Sequence, residues 1–271
     1  MSRTIQMFRC GPDMVKIIAP PARESIVPLA ITLAEREREN KRTSLSRSRR
    51  IVNDILHCNH FEFFTTVTIE NHNDGSPPTR EDVITACKAG IRTFNRYSDD
   101  SIGYIVVPEL SVHDEIAPGR WHGHIMVTTI PQHMLVPYCM SDKGLPAIIY
   151  RRMAAGIDCF SVPVFNKYGF CLAERIGNSQ KDQDTLSKYL TKTMYLETCA
   201  PLPRGQRRMM TSHGLERPER IFEGKISDSE YKSICDEADE TLCDRSKSVH
   251  YVPRSAPSLC KINIPELKIS S

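Results

Sequence analysis

Alternating apolar and polar residues predict several strands in the first half of the chain. Between residues 61 and 70, Phe61, Phe63, Val67 and Ile69 fall on one face of an extended strand, and the other face is mostly polar. Two further apolar runs, residues 102–109 and 120–129, predict a pair of strands joined by a turn at Pro118 and Gly119. The pattern therefore indicates strands with one buried and one polar side.

Helical periodicity predicts two helices, each with a cluster of cations. Thr79, with Asp82 three residues on, predicts the start of a helix that buries Val83, Cys87, Ile91 and Phe94. Its opposite side carries the basic stripe Lys88, Arg92 and Arg96, either solvated or in contact with nucleic acid. Ser44 predicts the cap of an earlier helix with the apolar face Ile51, Val52, Ile55 and Leu56. Arg47, Arg49 and Arg50 then occupy its first turn, as an exposed basic turn or as phosphate contacts.

The remaining segments complete a mixed pattern. Residues 1–25 predict an irregular arm, and residues 29–38 a solvated helix or a linker. A short helix is expected at 147–155, strands at 157–165 and 169–173, and helices at 182–196 and after the capping box 227–230. Residues 204–220 are basic and irregular, and an extended tail follows residue 245. Strands interspersed with helices predict the α+β class with an antiparallel sheet. The expected division is an arm at 1–43, a main domain at 44–222 and a C-terminal helix and tail at 223–271.

Composition is that of an ordinary globular protein of 271 residues, with 40% hydrophobic and 25% charged residues. A run of about 18 apolar residues and a signal-peptide core are both absent from the sequence, so we expect no membrane contact. The ten cysteines include no C-x-x-C pair, which indicates reduced thiols in a cytoplasm. The net charge is +3, but residues 226–244 hold seven acids and one base, so the rest carries +9. The positive charge of the chain outside residues 226–244 suits a polyanionic ligand.

The richest candidate chemistry is the pair His122 and His124. On a strand, side chains two residues apart share a face, and Gly123 between them leaves room for a ligand or a crossing backbone. Glu109, at the end of the preceding strand, completes a two-His-one-carboxylate set that suits Mn²⁺ or Mg²⁺, with Glu115 as its rival. The downstream residues lack the acids and histidines of other two-histidine metal sites, and paired zinc cysteines are absent. Two histidines simply hydrogen bonded to their neighbours are the alternative.

Three blocks of sequence, in order, resemble the rolling-circle replication initiators of bacteriophages and plasmids, the His-hydrophobic-His (HUH) endonucleases. The first is residues 59–68 (NHFEFFTTVT), the second is Glu109 followed by residues 120–124 (RWHGH), and the third is residues 187–192 (SKYLTK). The blocks and their surroundings cover residues 45–216. The resemblance implies a central antiparallel sheet of about five strands with flanking helices, and the histidine pair on a middle strand. Gly123 departs from the family, which places a bulky residue there, and we expect it to weaken packing on the opposite face.

The resemblance also implies the reacting residues. Tyr189 is the expected nucleophile, and Lys192, one helical turn on, is expected to stabilise the developing charge. Lys188 points about 100° away from Tyr189 on the helical period and is assigned to DNA contact. Many phage members carry a second tyrosine where this chain has Thr185, so a single-tyrosine site is expected.

The activity so implied is metal-dependent nicking of single-stranded DNA at a replication origin, with Mg²⁺ or Mn²⁺ held by Glu109, His122 and His124. The sequence has no G-x-x-x-x-G-K-[ST] loop, so a host helicase and polymerase are the expected partners. Two alternatives stay open: a relaxase or transposase of the same chemistry, and a non-catalytic DNA-binding regulator.

Overall fold

The computed structural model describes residues 2–19, 33–111, 120–177, 182, 185, 207–238 and 249–262. Their strands are β1 (Ser2–Cys10), β2 (Met14–Ile18), β3 (Phe63–Ile69), β4 (Tyr104–Ser111), β5 (Arg120–Val127), β6 (Val136–Pro137), β7 (Cys159–Ser161), β8 (Gly169–Arg175), β9 (Met210–Thr211), β10 (Glu219–Ser227) and β11 (Val249–Pro253). Their helices are α1 (Leu33–Cys58), α2 (Arg80–Arg96), α3 (Ala147–Ala154), α4 (Asp228–Glu237) and α5 (Pro257–Lys261). Contacts divide the chain into unit 1, Met1–Asn59 with Glu216–Ser271, and unit 2, His60–Leu215.

Unit 1 is built on an antiparallel sheet that joins the two ends of the chain, in the order β10-β1-β2-β11. The prediction of an irregular arm is therefore wrong for residues 2–18, and the extended tail contains β11 and α5. The hairpin between β1 and β2 turns at Gly11, whose φ of +64° favours glycine. A Cβ there would lie 2.4 Å from the His57 carbonyl oxygen, so the turn also needs glycine to approach α1.

Helix α1 begins 11 residues before the predicted cap at Ser44. Residues 33–58 contain no glycine or proline and are rich in Arg, Glu and Leu, all good helix formers. Ser48 donates a hydrogen bond to the Ser44 carbonyl oxygen at 3.0 Å, a contact of the helix interior. The prediction that Arg47, Arg49 and Arg50 occupy a first turn is therefore wrong, and no helix dipole opposes them.

Asn59 and Glu216, the residues of unit 1 that flank unit 2 in the sequence, are hydrogen bonded to each other. The Asn59 side-chain amide donates to the Glu216 carbonyl oxygen at 3.0 Å and accepts from the Glu216 backbone N–H at 2.9 Å. One side chain thereby satisfies both backbone groups of Glu216, as a neighbouring strand would.

Unit 2 is built on an antiparallel sheet in the order β6-β7-β8-β3-β5-β4-β9. The α+β class with an antiparallel sheet is thus confirmed, with seven strands in this sheet, two of which are only two residues long. Helix α2 packs on one face of it. The predicted capping box of Thr79 and Asp82 is present, and the predicted apolar side, Val83, Cys87, Ile91 and Phe94, is buried.

An ion pair between Lys16 and Asp54 lies in the interior of unit 1. The Lys16 ammonium is 2.7 and 2.8 Å from the two Asp54 carboxylate oxygens, and Tyr251 donates its hydroxyl to the same carboxylate at 2.6 Å. Burial, and the charge of Asp54 beside it, raise the pKa of Tyr251 well above its ordinary value, so the hydroxyl stays protonated and remains a donor. The three side chains connect β2, α1 and β11.

No helix in the described part of the chain is long and apolar enough to cross a membrane.

The ion pair gives a test of unit 1. We expect Lys16→Met to lower the free energy of unfolding by about 3–5 kcal/mol, because it leaves the Asp54 carboxylate buried with only a hydroxyl partner. Lys16→Met combined with Asp54→Leu is expected to recover part of this loss. Arg220→Ala is the control, since it breaks an exposed pair with Glu223 and is expected to cost less than about 1 kcal/mol. Urea unfolding of the unaltered full chain and of the three variants measures these losses; equal losses in Lys16→Met and Arg220→Ala would contradict the expectation.

Candidate active site

Strand β5 carries the two imidazoles on one face of the unit 2 sheet, between β3 and β4. His122 is paired with Thr68 on β3 and with Glu109 on β4, and His124 is paired with Thr66 on β3. Because paired residues in an antiparallel sheet project to the same side, all five side chains share one face. The predicted strand and the shared face of the histidines are both confirmed.

Gly123 lies on the opposite face, where helix α2 packs. A Cβ at this position would lie 2.5 Å from the Cys87 sulfur and 2.9 Å from Val83 Cγ1, closer than atoms can approach without displacement. The room left by the glycine is therefore occupied by α2. The expectations that it admits a ligand and weakens packing on this face are wrong, because the close approach of the helix fills the space.

His124 and Glu109 are in direct contact at the polar face. The His124 Nε2 and Glu109 Oε2 atoms are 2.5 Å apart, and the two side chains are 4% and 16% exposed. The Phe64 ring stacks on the imidazole with its centroid 5.4 Å away and 13° between the planes. The pair is thus shielded from water on one side by an aromatic ring, which strengthens its electrostatic attraction.

Each imidazole meets a threonine hydroxyl at Nδ1. Thr66 Oγ1 lies 3.2 Å from His124 Nδ1, and Thr68 Oγ1 lies 2.9 Å from His122 Nδ1. Both contacts join β3 to β5 across the ladder. The hydroxyls therefore hold the rings at Nδ1 and turn the Nε2 atoms away from β3.

The three residues predicted to hold a metal ion are brought together in part. Glu109 and His124 are hydrogen bonded, and His122 is the register partner of Glu109, but within the described ranges no group of three or more His, Cys, Asp and Glu side chains is arranged to hold an ion. The donor types and the shared face fit Mg²⁺ or Mn²⁺. Glu115, the rival ligand, lies outside the described residues.

Glu174, which was not predicted from the sequence, lies on the same face of β8. It is 9% exposed, and burial raises the pKa of its carboxyl, against the opposing effects of Arg152 and His124. Arg152 Nε lies 2.8 Å from a Glu174 carboxylate oxygen. The available signal was an acid that continues the alternation of Phe170 and Leu172 on an apolar strand.

The predicted DNA-binding residues fall in both units. Arg47, Arg49 and Arg50 belong to α1 of unit 1, with Arg47 exposed and the other two half-buried. Lys88 and Arg92 are exposed on α2, which covers the sheet face opposite the imidazoles, so the sheet and the helix separate them from His124. Tyr189, Lys192 and Lys188 lie outside the described residues.

Unit 2 also contains a polar cavity of about 660 Å³, lined in part by His60, Glu62, Asp158, Arg175 and Asp182. The Arg175 guanidinium in this cavity contacts Glu62 and lies 3.8 Å from Asp158, so its charge is paired. Neither histidine of the pair lines the cavity. Because the predicted site residues His122, His124 and Glu109 share the polar face of the sheet at β5, we take that face as the candidate active site.

No protein-family model, curated protein or solved structure matches the chain.

The packing at Gly123 can be tested by a double-mutant cycle. We expect Gly123→Ala to lower the free energy of unfolding by about 1–3 kcal/mol, because its methyl group would overlap the Cys87 sulfur. Adding Cys87→Ala removes that overlap, so the double variant is expected to lose less than the sum of the single losses, by about 0.5–3 kcal/mol.

Gly214→Ala is the matched control for this cycle. A Cβ there would meet no atom within 4 Å, so the change is expected to stay within about 0.5 kcal/mol. Urea or thermal unfolding measures the set, and strictly additive losses at Gly123 and Cys87 would show that α2 does not touch this glycine.

Proposed function

We propose that the protein is a metal-dependent endonuclease that nicks single-stranded DNA at a replication origin and later rejoins it. The observation that carries the proposal is the polar face of β5, where His122 and His124 lie together, Glu109 contacts His124, and a threonine hydroxyl meets each Nδ1. A strand that buries an imidazole next to a carboxylate on its polar face, and needs neither for its core, is typical of a functional site. The three blocks of sequence that resemble the HUH initiators support the same conclusion.

Glu109, His122 and His124 are the residues that would hold Mg²⁺ or Mn²⁺. When bound, such an ion polarises the scissile phosphate and stabilises the charge that develops on it. Phe64 and the buried position of His124 keep water from one side of the site, so the side chains are held in place before DNA binds.

Tyr189 would form the covalent bond to DNA. Its phenolic oxygen attacks the phosphorus, the bond from phosphorus to the 3′-oxygen breaks, and the 3′-oxygen takes up a proton to become a free hydroxyl. The phenolic proton leaves to solvent, and Lys192 stabilises the phenolate charge as it develops. The 5′-phosphate stays on Tyr189 as an ester, and attack by a 3′-hydroxyl reverses the step. The ester preserves the bond energy, so rejoining needs no nucleotide.

Partners follow from this chemistry. The substrate is single-stranded origin DNA, and a host helicase and polymerase extend the free 3′-hydroxyl. The phosphates of this DNA would be contacted by cations of α1, namely Arg47, Arg49 and Arg50. A relaxase or transposase of the same chemistry differs in the DNA that it selects.

A second candidate function is a DNA-binding regulator without catalysis. It is favoured by the hydrogen bond between His124 and Glu109, which satisfies both groups without an ion, and by the exposed cations of α2. In that case the basic helices bind DNA, and the histidine pair stabilises the sheet.

Covalent capture of DNA distinguishes the two functions. We expect the full chain, incubated with Mn²⁺ or Mg²⁺ and single-stranded oligonucleotides tiling its replicon, to give a protein-DNA adduct on denaturing gels. EDTA and Tyr189→Phe are each expected to abolish the adduct. Tyr195 lies six residues further on and outside the three blocks, so Tyr195→Phe is the matched control and is expected to retain the adduct. DNA binding with no adduct under either metal would contradict the nickase and establish the regulator.

Direct ion binding gives an independent measurement. We expect the chain to bind one Mn²⁺ per molecule, followed by the loss of the free-ion electron paramagnetic resonance signal. His124→Ala and Glu109→Gln are expected to weaken binding at least about tenfold, because each removes a ligand. His133→Ala, at an exposed histidine of the same unit, is the control and should leave affinity unchanged. Equal affinities for all four proteins would place the ion elsewhere.

A further inference from the structure

We infer that Thr66 and Thr68, in the first of the three blocks, are positioning residues that fix the ring orientation of His124 and His122 by a hydrogen bond at Nδ1. The inference deepens the proposed function and rests on it for the purpose of the site. It assigns a role to the two polar positions of β3, which the resemblance alone leaves without one.

The geometry of the two contacts is the same at both positions. Each threonine is the register partner of the histidine that it touches, Thr66 of His124 and Thr68 of His122, and each contact is made to Nδ1 at 3.2 or 2.9 Å. The repeat two residues apart follows the period of the strands. A single polar contact between strands is common. Here two equivalent contacts occur at successive positions of one face, and each fixes the orientation of one imidazole ring.

The neighbouring Thr65 provides a comparison on the same strand, because its side chain makes no hydrogen bond to a histidine of the described residues. It projects to the other face, is 1% exposed, and its hydroxyl oxygen has no hydrogen-bond partner in the described part of the chain. A buried hydroxyl without a partner costs stability, so Thr65 serves the strand through its β-branched shape. At Thr66 and Thr68 the hydroxyls are half-buried and each meets a ring nitrogen.

A hydroxyl suits this position because it both donates and accepts. In the present arrangement the Glu109 carboxylate can only accept from His124 Nε2, so a neutral ring carries its proton on Nε2 and accepts at Nδ1 from the Thr66 hydroxyl. A ring whose Nε2 binds an ion carries its proton on Nδ1 and donates it to the same oxygen. The proton count of the ring is equal in the two forms. Thr66 can therefore partner His124 in either form, whereas valine can partner neither.

Ring orientation is held by the strand itself. Threonine has few side-chain rotamers on a strand, and Phe64, on the same face, stacks on His124. The imidazole thus meets a fixed hydroxyl, a fixed aromatic plane and the Glu109 carboxylate. Such partners of metal-binding histidines typically change ion affinity by about 10–100-fold when they are removed.

The test replaces each hydroxyl by a methyl group of equal size. Thr66→Val and Thr68→Val keep the β-branched shape, Thr65→Val is the matched control on the same strand, and Thr66→Ser restores a hydroxyl. The first readout is the ¹⁵N chemical shift of Nδ1 in each imidazole of the ion-free full chain with labelled histidine, because this shift changes when the nitrogen loses its hydrogen bond. We expect the same His124 Nδ1 shift in the unaltered chain and in Thr65→Val, a changed shift in Thr66→Val, and recovery in Thr66→Ser. The same change is expected at His122 in Thr68→Val.

The second readout is ion affinity. We expect Mn²⁺ binding to weaken about 10–100-fold in Thr66→Val and Thr68→Val and to stay unchanged in Thr65→Val. Adduct formation in the two valine variants is expected to need more Mn²⁺ but to recover at saturating ion, because positioning residues alter binding of the ion and not the attack by Tyr189.

The two proposals fail separately. If the Nδ1 shifts in Thr66→Val and Thr68→Val equal those in Thr65→Val, and ion affinity is unchanged, the positioning role is overturned. If the Nδ1 shifts change as expected while the unaltered chain forms no adduct, the threonines position the rings and the nickase is overturned.

Discussion

The antiparallel register of β5 between β3 and β4 is the constraint on which the candidate site depends. It aligns Thr66 with His124, Thr68 with His122 and Glu109 with His122, so three strands supply one polar face. A shift of one residue would turn every one of these side chains to the other side of the sheet. The register is specified by the core, because Val67, Ile125 and their neighbours must face α2. Apolar packing on one face thereby fixes polar geometry on the other.

Gly123 shows how closely the two faces are coupled. The residue between the histidines has no side chain, and helix α2 uses that space to bring Cys87 and Val83 against the strand. The imidazoles therefore stand on a strand whose back is held by direct helix contact. Rigid support of this kind keeps ligands in place better than a loop does.

Local patterns allowed the α2 helix, its capping box at Thr79 and the strand β3 to be predicted, because each depends on residues a few positions apart. The partners of Gly123 lie on an element distant in sequence, and no local pattern reports them. The face of Glu174 could be predicted from the alternation of its strand, whereas its contact with Arg152 required the fold. The hairpin β1–β2 was missed because residues 1–25 show no clear alternation and contain prolines at 12, 20 and 21. The start of helix α1 was predicted too late because residues 35–38 are all charged and show no apolar side. Within the site, the shared face of His122 and His124 was predictable, whereas the threonine contacts required the register.

The side-chain amide of Asn59, bonded to both backbone groups of Glu216, has a consequence for how the chain is made. Asn59 and Glu216 are 157 positions apart, and every residue of unit 2 is synthesised between them. Strands β1 and β2 leave the ribosome long before β10 and β11, so both edges of the first hairpin stay unpaired until those two strands have been made. Unit 2 can complete its own sheet in the meantime. The hydrogen bonds between Asn59 and Glu216 can form only after unit 2 has been synthesised, so the β1–β2 hairpin is open to misassembly during that interval.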